Sequence, residues 1–452
     1  MIAHSNSSSL PTAALYAKHC SEKNARFQTI LEATGYDQIV LGSGAAKLQF
    51  QDDMAYPFKA SPYFREWVPL DKRADCFLHI SAVGDKPVLY LLAVEDIWHS
   101  APQSLPANFE QCFEIIEYQS LEQLKKLLSE ANKSVALINE TNDLEVPAHS
   151  FNPPAVLNQI DFQRRRKTQY EQSCVRHANL LAVPAHRAAE VAFRDGGSEL
   201  EVAAAYLAAC KCSETDMPYS IIAGINEHAA VLHHHQLDNR RVSPRSLLID
   251  AGVTCYGYAS DITRTYAFDQ GSNFAAMIEQ LDGVQRELVA LGGIGQCPVE
   301  LHVQSQHKIA QLMINFNLLN YSAEQAVEEG VINTFYPHGL GHHLGCNVHD
   351  KGSQLANPQG DPIPASKTYP NLRASAPMEA NQIHTVEPGV YFIPALLDRL
   401  RASDLADSVN WSEITDWIPF GGIRIEDNII VHSDNRLENV TRAAFASLQP
   451  PQ

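Results

Sequence analysis

"SLLIDAGVTCYGYASDITRTYAF", residues 246–268, holds two apolar runs on either side of a turn region at Cys255–Gly257. That pattern predicts a β-hairpin. Were Asp250 and Asp261 paired across it, both side chains would leave one face with Cβ atoms about 5 Å apart. Carboxylates that close repel each other and raise a pKa unless a cation lies between them. A lone Asp is more often a strand end or a turn cap. Two of them inside otherwise apolar strands, as "D-A-G" and "S-D-I-T-R-T", point instead to a metal pair.

Three further segments add to that pair. "HGLGHHLGCNVHD", His338 to Asp350, carries four histidines and three glycines. Imidazole suits divalent transition metals, and glycine permits close backbone approach. The spacing is neither the zincin H-E-x-x-H nor a zinc finger. In "NQIHTVEPGVYFIP" the residues Ile383, Thr385 and Glu387 share a strand face, and in "GGIRIEDNIIV" so do Arg424 and Glu426. An unpaired glutamate inside an apolar strand costs several kcal/mol, so each needs a cation or hydrogen-bond partners. Arg424 could satisfy Glu426 in a purely structural pair. Four carboxylates and one imidazole from five places suit two hard or borderline ions, Mn²⁺ or Co²⁺, better than one structural Zn²⁺.

Working outward, the 452 residues suggest two domains, and an apolar content of 45% is enough to build cores. Residues 12–145 alternate short strands and helices, which reads as an α/β domain. "VPAHSFNPPAVLNQI" breaks that periodicity, placing the boundary at 155: an N-terminal domain 1–155 and a catalytic domain 156–452. In the second, a helical pattern runs from Asp161 to Arg194, interrupted by Pro184. Ser198 and Glu201 form a capping box for a helix to Lys211. Strands near 219–224, 246–252, 259–267, 383–393 and 422–431, with helices 272–292 and 300–329, make this domain α+β. Gly352 to Pro370 is a polar loop.

A formal charge of −18 opposes nucleic acid or an anionic membrane as partner. The basic run Arg164–Lys167 reads as the solvated start of a helix after the cap Asp161. No apolar segment reaches the length of a membrane span, and "MIAHSNSSSL" lacks the features of a secretory signal, so a cytoplasmic protein is expected. Nine cysteines with no C-x-x-C agree with a reduced compartment.

The order and spacing of these motifs resembles the pita-bread metallopeptidase family, which includes methionine aminopeptidases, aminopeptidase P and Xaa-Pro dipeptidase. The resemblance implies that Asp250, Asp261, His342, Glu387 and Glu426 hold two metal ions, most readily Mn²⁺ with Co²⁺ as an alternative. His342 is chosen because the family places histidines at relative positions one, five and twelve, here His338, His342 and His349, with the middle one on metal. "DDMAYPFKASPYFREWVPL", "EDIWH" and "MPYSIIAGINEHAAVLHH" extend the likeness to the bacterial Xaa-Pro dipeptidase and organophosphorus acid anhydrolase group.

By that comparison the substrate is a dipeptide ending in proline. Tyr219, His233 and His349 would line its pocket, and Arg373 would meet its carboxylate. Glu387, His233 and His349 would act in catalysis. Trp98 would reach into the partner's site in a homodimer. The segment after Arg373, "ASAPMEA", lacks the second arginine of the pattern, and Cys346 replaces a larger residue. Organophosphate triester hydrolysis is an expected side activity. The alternatives are an aminopeptidase acting on longer X-Pro peptides and a metal-free peptide-binding module of the same fold.

Overall fold

The computed structural model describes residues 10–82, 86–93, 100–129, 134–142, 144 and 149–448. The chain forms two units. One comprises Met1–Cys174 with Cys255–Tyr258 and Leu355–Pro362, and the other Val175–Thr254, Ala259–Gln354 and Ile363–Gln452.

The first unit is built on strands β1 (Gln38–Gly42), β2 (Cys76–Ser81), β3 (Val88–Leu92), β4 (Glu114–Tyr118), β5 (Val135–Ile138) and β6 (His149–Phe151). They form one mixed sheet in the order β4-β3-β2-β1-β5-β6. The inner strand β1 is buried at all five positions, as expected of a strand covered on both faces. Val40, Phe77, Tyr90, Tyr118 and Leu137 pack with Leu124 and Leu128 of helix Leu121–Ser129. Each such side chain contributes roughly 1.5–3 kcal/mol on burial.

The basic run does not behave as expected. It lies at the end of helix Pro154–Arg164, and Arg164, Arg165 and Lys167 are buried. Arg164 Nε lies 2.5 Å from Glu66 Oε1, and Lys23 pairs with the same carboxylate. Sequence shows the charge run but not the distant acid that draws it inside. Within the Pro-bearing stretch, Pro154 opens that helix, where a missing N–H costs nothing.

In the second unit the strand Thr263–Ala267 pairs antiparallel with β8 (Ser246–Asp250), which pairs in turn with β7 (Ile222–Ile225). Two smaller sheets join Ile383–Val386 to Asp427–Val431 and Gly389–Tyr391 to Gly422–Arg424. Helices Asn273–Leu291 and Pro298–Asn315 supply Phe274, Met277, Leu281, Ile309 and Met313 to a core that includes Phe392 and Ile423. The capping box is present: Ser198 and Glu201 start helix Glu199–Cys210.

Three expectations are corrected. Asp250 stands opposite Thr263, not Asp261, so the two aspartates are offset along the hairpin. Helix Gln169–Arg194 runs through Pro184 without ending. The segment 300–329 is two helices, broken after Asn315, where Asn317 takes φ 57° and Ser322 caps the next helix by accepting from Gln325 N. All nine cysteines are free. Among the described residues no helix is long and apolar enough to cross a membrane.

Candidate metal centre

Glycines let the chain bring the acids and the histidine together. A Cβ on Gly252 would lie 1.9 Å from Ser260 O, and one on Gly341 would lie 2.0 Å from Thr385 O. The first close approach shapes the turn between Asp250 and Asp261. The second lays the histidine segment along Ile383–Val386, with Thr385 N donating to His342 O at 2.9 Å and Glu387 N to Leu340 O at 2.8 Å. Asp261 is fixed through its backbone by the buried Asn428. Asn428 Oδ1 accepts from Asp261 N at 3.1 Å, and its Nδ2 donates to Asp261 O at 2.5 Å.

Ligand atoms of Asp261, His342 and Glu426, all buried, lie within 4.8 Å of one another. His342 Nε2 is 3.4 Å from Asp261 Oδ2 and 3.6 Å from Glu387 Oε1. Its Nδ1 is 3.0 Å from His343 O, which favours the tautomer with the proton on Nδ1 and leaves the Nε2 lone pair free. Asp250 joins from one side. Tyr219 donates from its hydroxyl toward Asp250 Oδ1 at 2.8 Å and Asp261 Oδ1 at 2.5 Å.

Arg424 does not pair with Glu426. Its Nη2 donates to Asp250 Oδ2 at 2.6 Å, its Nε to Thr263 Oγ1 at 3.1 Å and its Nη1 to Tyr391 OH at 2.8 Å. Tyr391 OH also lies 2.9 Å from His338 Nε2. Thr263 and Tyr391 were not singled out from sequence. Their signal was weak, because each is an ordinary strand residue until the register places it beside an acid.

The electrostatics point the same way. Burial pushes Glu387 up to about 7, with Asp261 and Asp250 adding to the rise and His342 and Arg424 opposing it. Burial likewise lifts Asp250 to about 6, against the pull of Arg424. Glu426 is driven well above the usual carboxylate range by burial and by Asp261, Glu387 and Asp250. Asp261 stays below its ordinary value despite burial, because His342, when it carries a second proton in place of a metal, and Tyr219 hydrogen-bond to it. Thr263 Oγ1 donates to Glu426 Oε2 at 2.8 Å, but Glu426 Oε1 is buried with no partner. An orphaned carboxylate oxygen, one free imidazole nitrogen and an excess of buried acids over cations fit a divalent metal.

Of the expected pocket residues, His349 packs directly against this cluster. His349 is exposed at its rim, its ring centroid 4.5 Å from that of His342 in a T-shaped contact. Partial desolvation of the ring against the cluster, then His342 and Arg373, lower its pKa to about 4. His233 is exposed and stacks on His235, and its pKa is lowered first by partial desolvation of the ring, then by His235, Arg424 and Arg373. The Arg373 side chain is exposed, while its carbonyl accepts from Ser353 Oγ at 2.7 Å. Trp98 lies outside the described residues.

Residues 14–162 match the Xaa-Pro dipeptidase N-terminal domain, and residues 173–433 match metallopeptidase family M24. An Xaa-Pro dipeptidase of Pseudoalteromonas translucida is 41% identical over 95% of this chain and 98% of its own length. One of Shewanella denitrificans is 40% identical over 94% and 97%. Among solved structures, aminopeptidase P of E. coli superposes with a TM-score of 0.70 at 19% identity, covering 96% of this chain and 99% of that one. The Pseudomonas aeruginosa aminopeptidase PepP gives 0.72 at 19% identity, covering 95% and 98%. These structures share the fold, an N-terminal α/β domain followed by an α+β pita-bread domain.

Proposed function

Because the chain belongs to metallopeptidase family M24, we propose that it is a dinuclear-metal dipeptidase that hydrolyses Xaa-Pro dipeptides; its curated relatives carry the name Xaa-Pro dipeptidase. The observation that carries this reading is the convergence of Asp261, His342 and Glu426, with Asp250 and Glu387 alongside. These five residues would hold two divalent ions, Mn²⁺ by preference. When bound, such ions lower the pKa of water and polarise a carbonyl oxygen.

The protein groups do the rest. Glu387, beside the attacking water, takes its proton on a side-chain oxygen and delivers it to the leaving proline nitrogen. That nitrogen carries no hydrogen in the peptide, so it must be protonated as the C–N bond breaks. His233 and His349 stabilise the oxyanion of the tetrahedral intermediate. Tyr219 orients Asp250 and Asp261 through its hydroxyl. Arg373 binds the free carboxylate and so selects dipeptides over longer chains.

We also propose a cytoplasmic homodimer in which Trp98 closes the partner's site, which sedimentation would check. Phosphotriesters are a proposed secondary substrate. The deciding experiment combines metal analysis with a panel of Xaa-Pro dipeptides, Xaa-Pro-Xaa tripeptides and dipeptides lacking proline. Two ions per chain with turnover confined to Xaa-Pro dipeptides is the expected result. Preference for the tripeptides would make the enzyme an aminopeptidase instead.

A further inference from the structure

Away from the carboxylate cluster, Glu199, His228 and His234 bring a second set of metal-ligating atoms within 4.8 Å of one another. Glu199 is the first residue of helix Glu199–Cys210, and its side chain is only 3% exposed. Its Oε1 lies 2.8 Å from His228 Nδ1 and accepts from Ile225 N at 2.9 Å. Its Oε2 lies 2.8 Å from His234 Nε2 and accepts from Asp238 N at 2.8 Å. Each carboxylate oxygen therefore already has a backbone donor. Those two bonds alone would satisfy a structural anchor for the loop, and the imidazoles are an addition to it.

The addition has the chemistry of a metal site. Two imidazoles and one carboxylate are a ligand set that holds Zn²⁺, with a fourth position left to solvent. The ring centroids of His228 and His234 lie 4.6 Å apart, so both rings reach one carboxylate from neighbouring directions. His234 is nearly enclosed at 10% side-chain exposure, while His228, at 40%, opens the group to solvent. A cavity of about 220 Å³ adjoins it, lined by Glu199, His228, Glu227 and Asp238 among others. It gives an ion both an entrance and room for a completing water.

We propose that Glu199, His228 and His234 bind a divalent transition ion, Zn²⁺ by preference, at a site separate from the dinuclear centre. Each histidine would carry its remaining proton on the outer nitrogen, so the ion replaces the two N–H donors now facing the carboxylate. Since His233 adjoins His234, an ion here ties a loop bearing a proposed catalytic histidine to the helix start.

The test is ion counting on the full chain. Protein dialysed against Zn²⁺ and then against metal-free buffer is compared among wild type, His228→Asn and His234→Gln. Wild type should keep one more Zn²⁺ per chain than either variant, and its melting temperature should rise further with added Zn²⁺ than theirs, since the dinuclear centre responds alike in all three. A zinc-edge anomalous map of wild type would place that ion without relying on any variant. Equal zinc content in all three proteins, or an anomalous map with no density between Glu199 and the two rings, overturns the proposal. If the dinuclear reading failed instead, the total would change in all three alike, and the difference of one would remain.

Discussion

Arg424 donates to Asp250 at 2.6 Å, and this guanidinium is the cation in direct contact with the carboxylate cluster. Both side chains are buried, at 5% and 12% exposure. Removing one member of a buried ion pair typically costs 3–5 kcal/mol, because the other charge is left alone. Arg424→Met should therefore destabilise the metal-free protein by about 3 kcal/mol or more. With Mn²⁺ bound, the ions supply positive charge at the same place, and much of the loss should be recovered. Urea denaturation of both proteins with and without Mn²⁺ measures this, and an identical loss in the two conditions would show that Arg424 acts by packing alone.

Asp261→Asn and Glu426→Gln change shape little but remove negative charge from the centre. Both acids are buried, and Glu426 is strained by its acidic neighbours when no cation is present. Each variant should fold, bind fewer than two ions per chain and lose at least about a thousandfold in kcat, roughly 4 kcal/mol of barrier. Metal-free Glu426→Gln should be no less stable than metal-free wild type, since burial and the neighbouring acids disfavour a charge at that position, whereas Asp261→Asn also gives up the hydrogen bonds that favour its carboxylate. Near-normal turnover with two bound ions would remove these residues from the ligand set.

How much of this centre was legible in the sequence depends on distance along the chain. The strand alternation around Glu387 and Glu426 and the glycine-histidine segment could be read locally, because each motif declares its chemistry within a few residues. The offset of Asp250 from Asp261 could not, since register follows from how the chain turns between Gly252 and Ser260. The choice of Arg424 for Asp250 over its neighbour Glu426 is decided by packing between strands more than 170 residues apart in number. Nothing in the run His233–His235 marks His234 for burial, because its partner Glu199 lies 35 positions away.

Removal of metal gives a third expectation. Chelation with EDTA should abolish dipeptide hydrolysis, and Mn²⁺ or Co²⁺ should restore it better than Mg²⁺, because an imidazole ligand favours ions further along the transition series. Full activity in protein shown by elemental analysis to be metal-free would contradict the role given to the acid cluster.

Acid stability turns on a buried histidine away from the centre. His302 packs against Tyr336 and Tyr369, and burial lowers its pKa to about 4. The folded chain therefore refuses a proton that the unfolded chain accepts below its ordinary pKa of about 6.5. This contribution is fully present above pH 6.5 and is lost as pH falls toward 4, by up to roughly 3 kcal/mol. His302→Leu should flatten the decline between pH 6.5 and 4 relative to wild type. Parallel stability curves for the two proteins would mean that His302 takes up its proton without unfolding.

The sharpest division between a dipeptidase and an aminopeptidase rests on Arg373. A dipeptidase must recognise a carboxylate one residue beyond the scissile bond, and an enzyme acting on longer peptides meets no charge there. Arg373 is exposed, and its positive charge is felt by both His233 and His349, which places it electrostatically at the rim of the centre. A charge-assisted contact from a guanidinium to that carboxylate is worth roughly 1.5–3 kcal/mol. Arg373→Met should therefore lower kcat/KM for an Xaa-Pro dipeptide by about ten- to a hundredfold. Hydrolysis of the corresponding dipeptide amide, or of an uncharged phosphotriester, should hardly change, because neither offers the charge. The loss should also shrink in high salt if the contact is solvent-exposed. Equal losses on the acid and the amide would show instead that Arg373 supports the fold of its loop, and selection of dipeptides would need another residue.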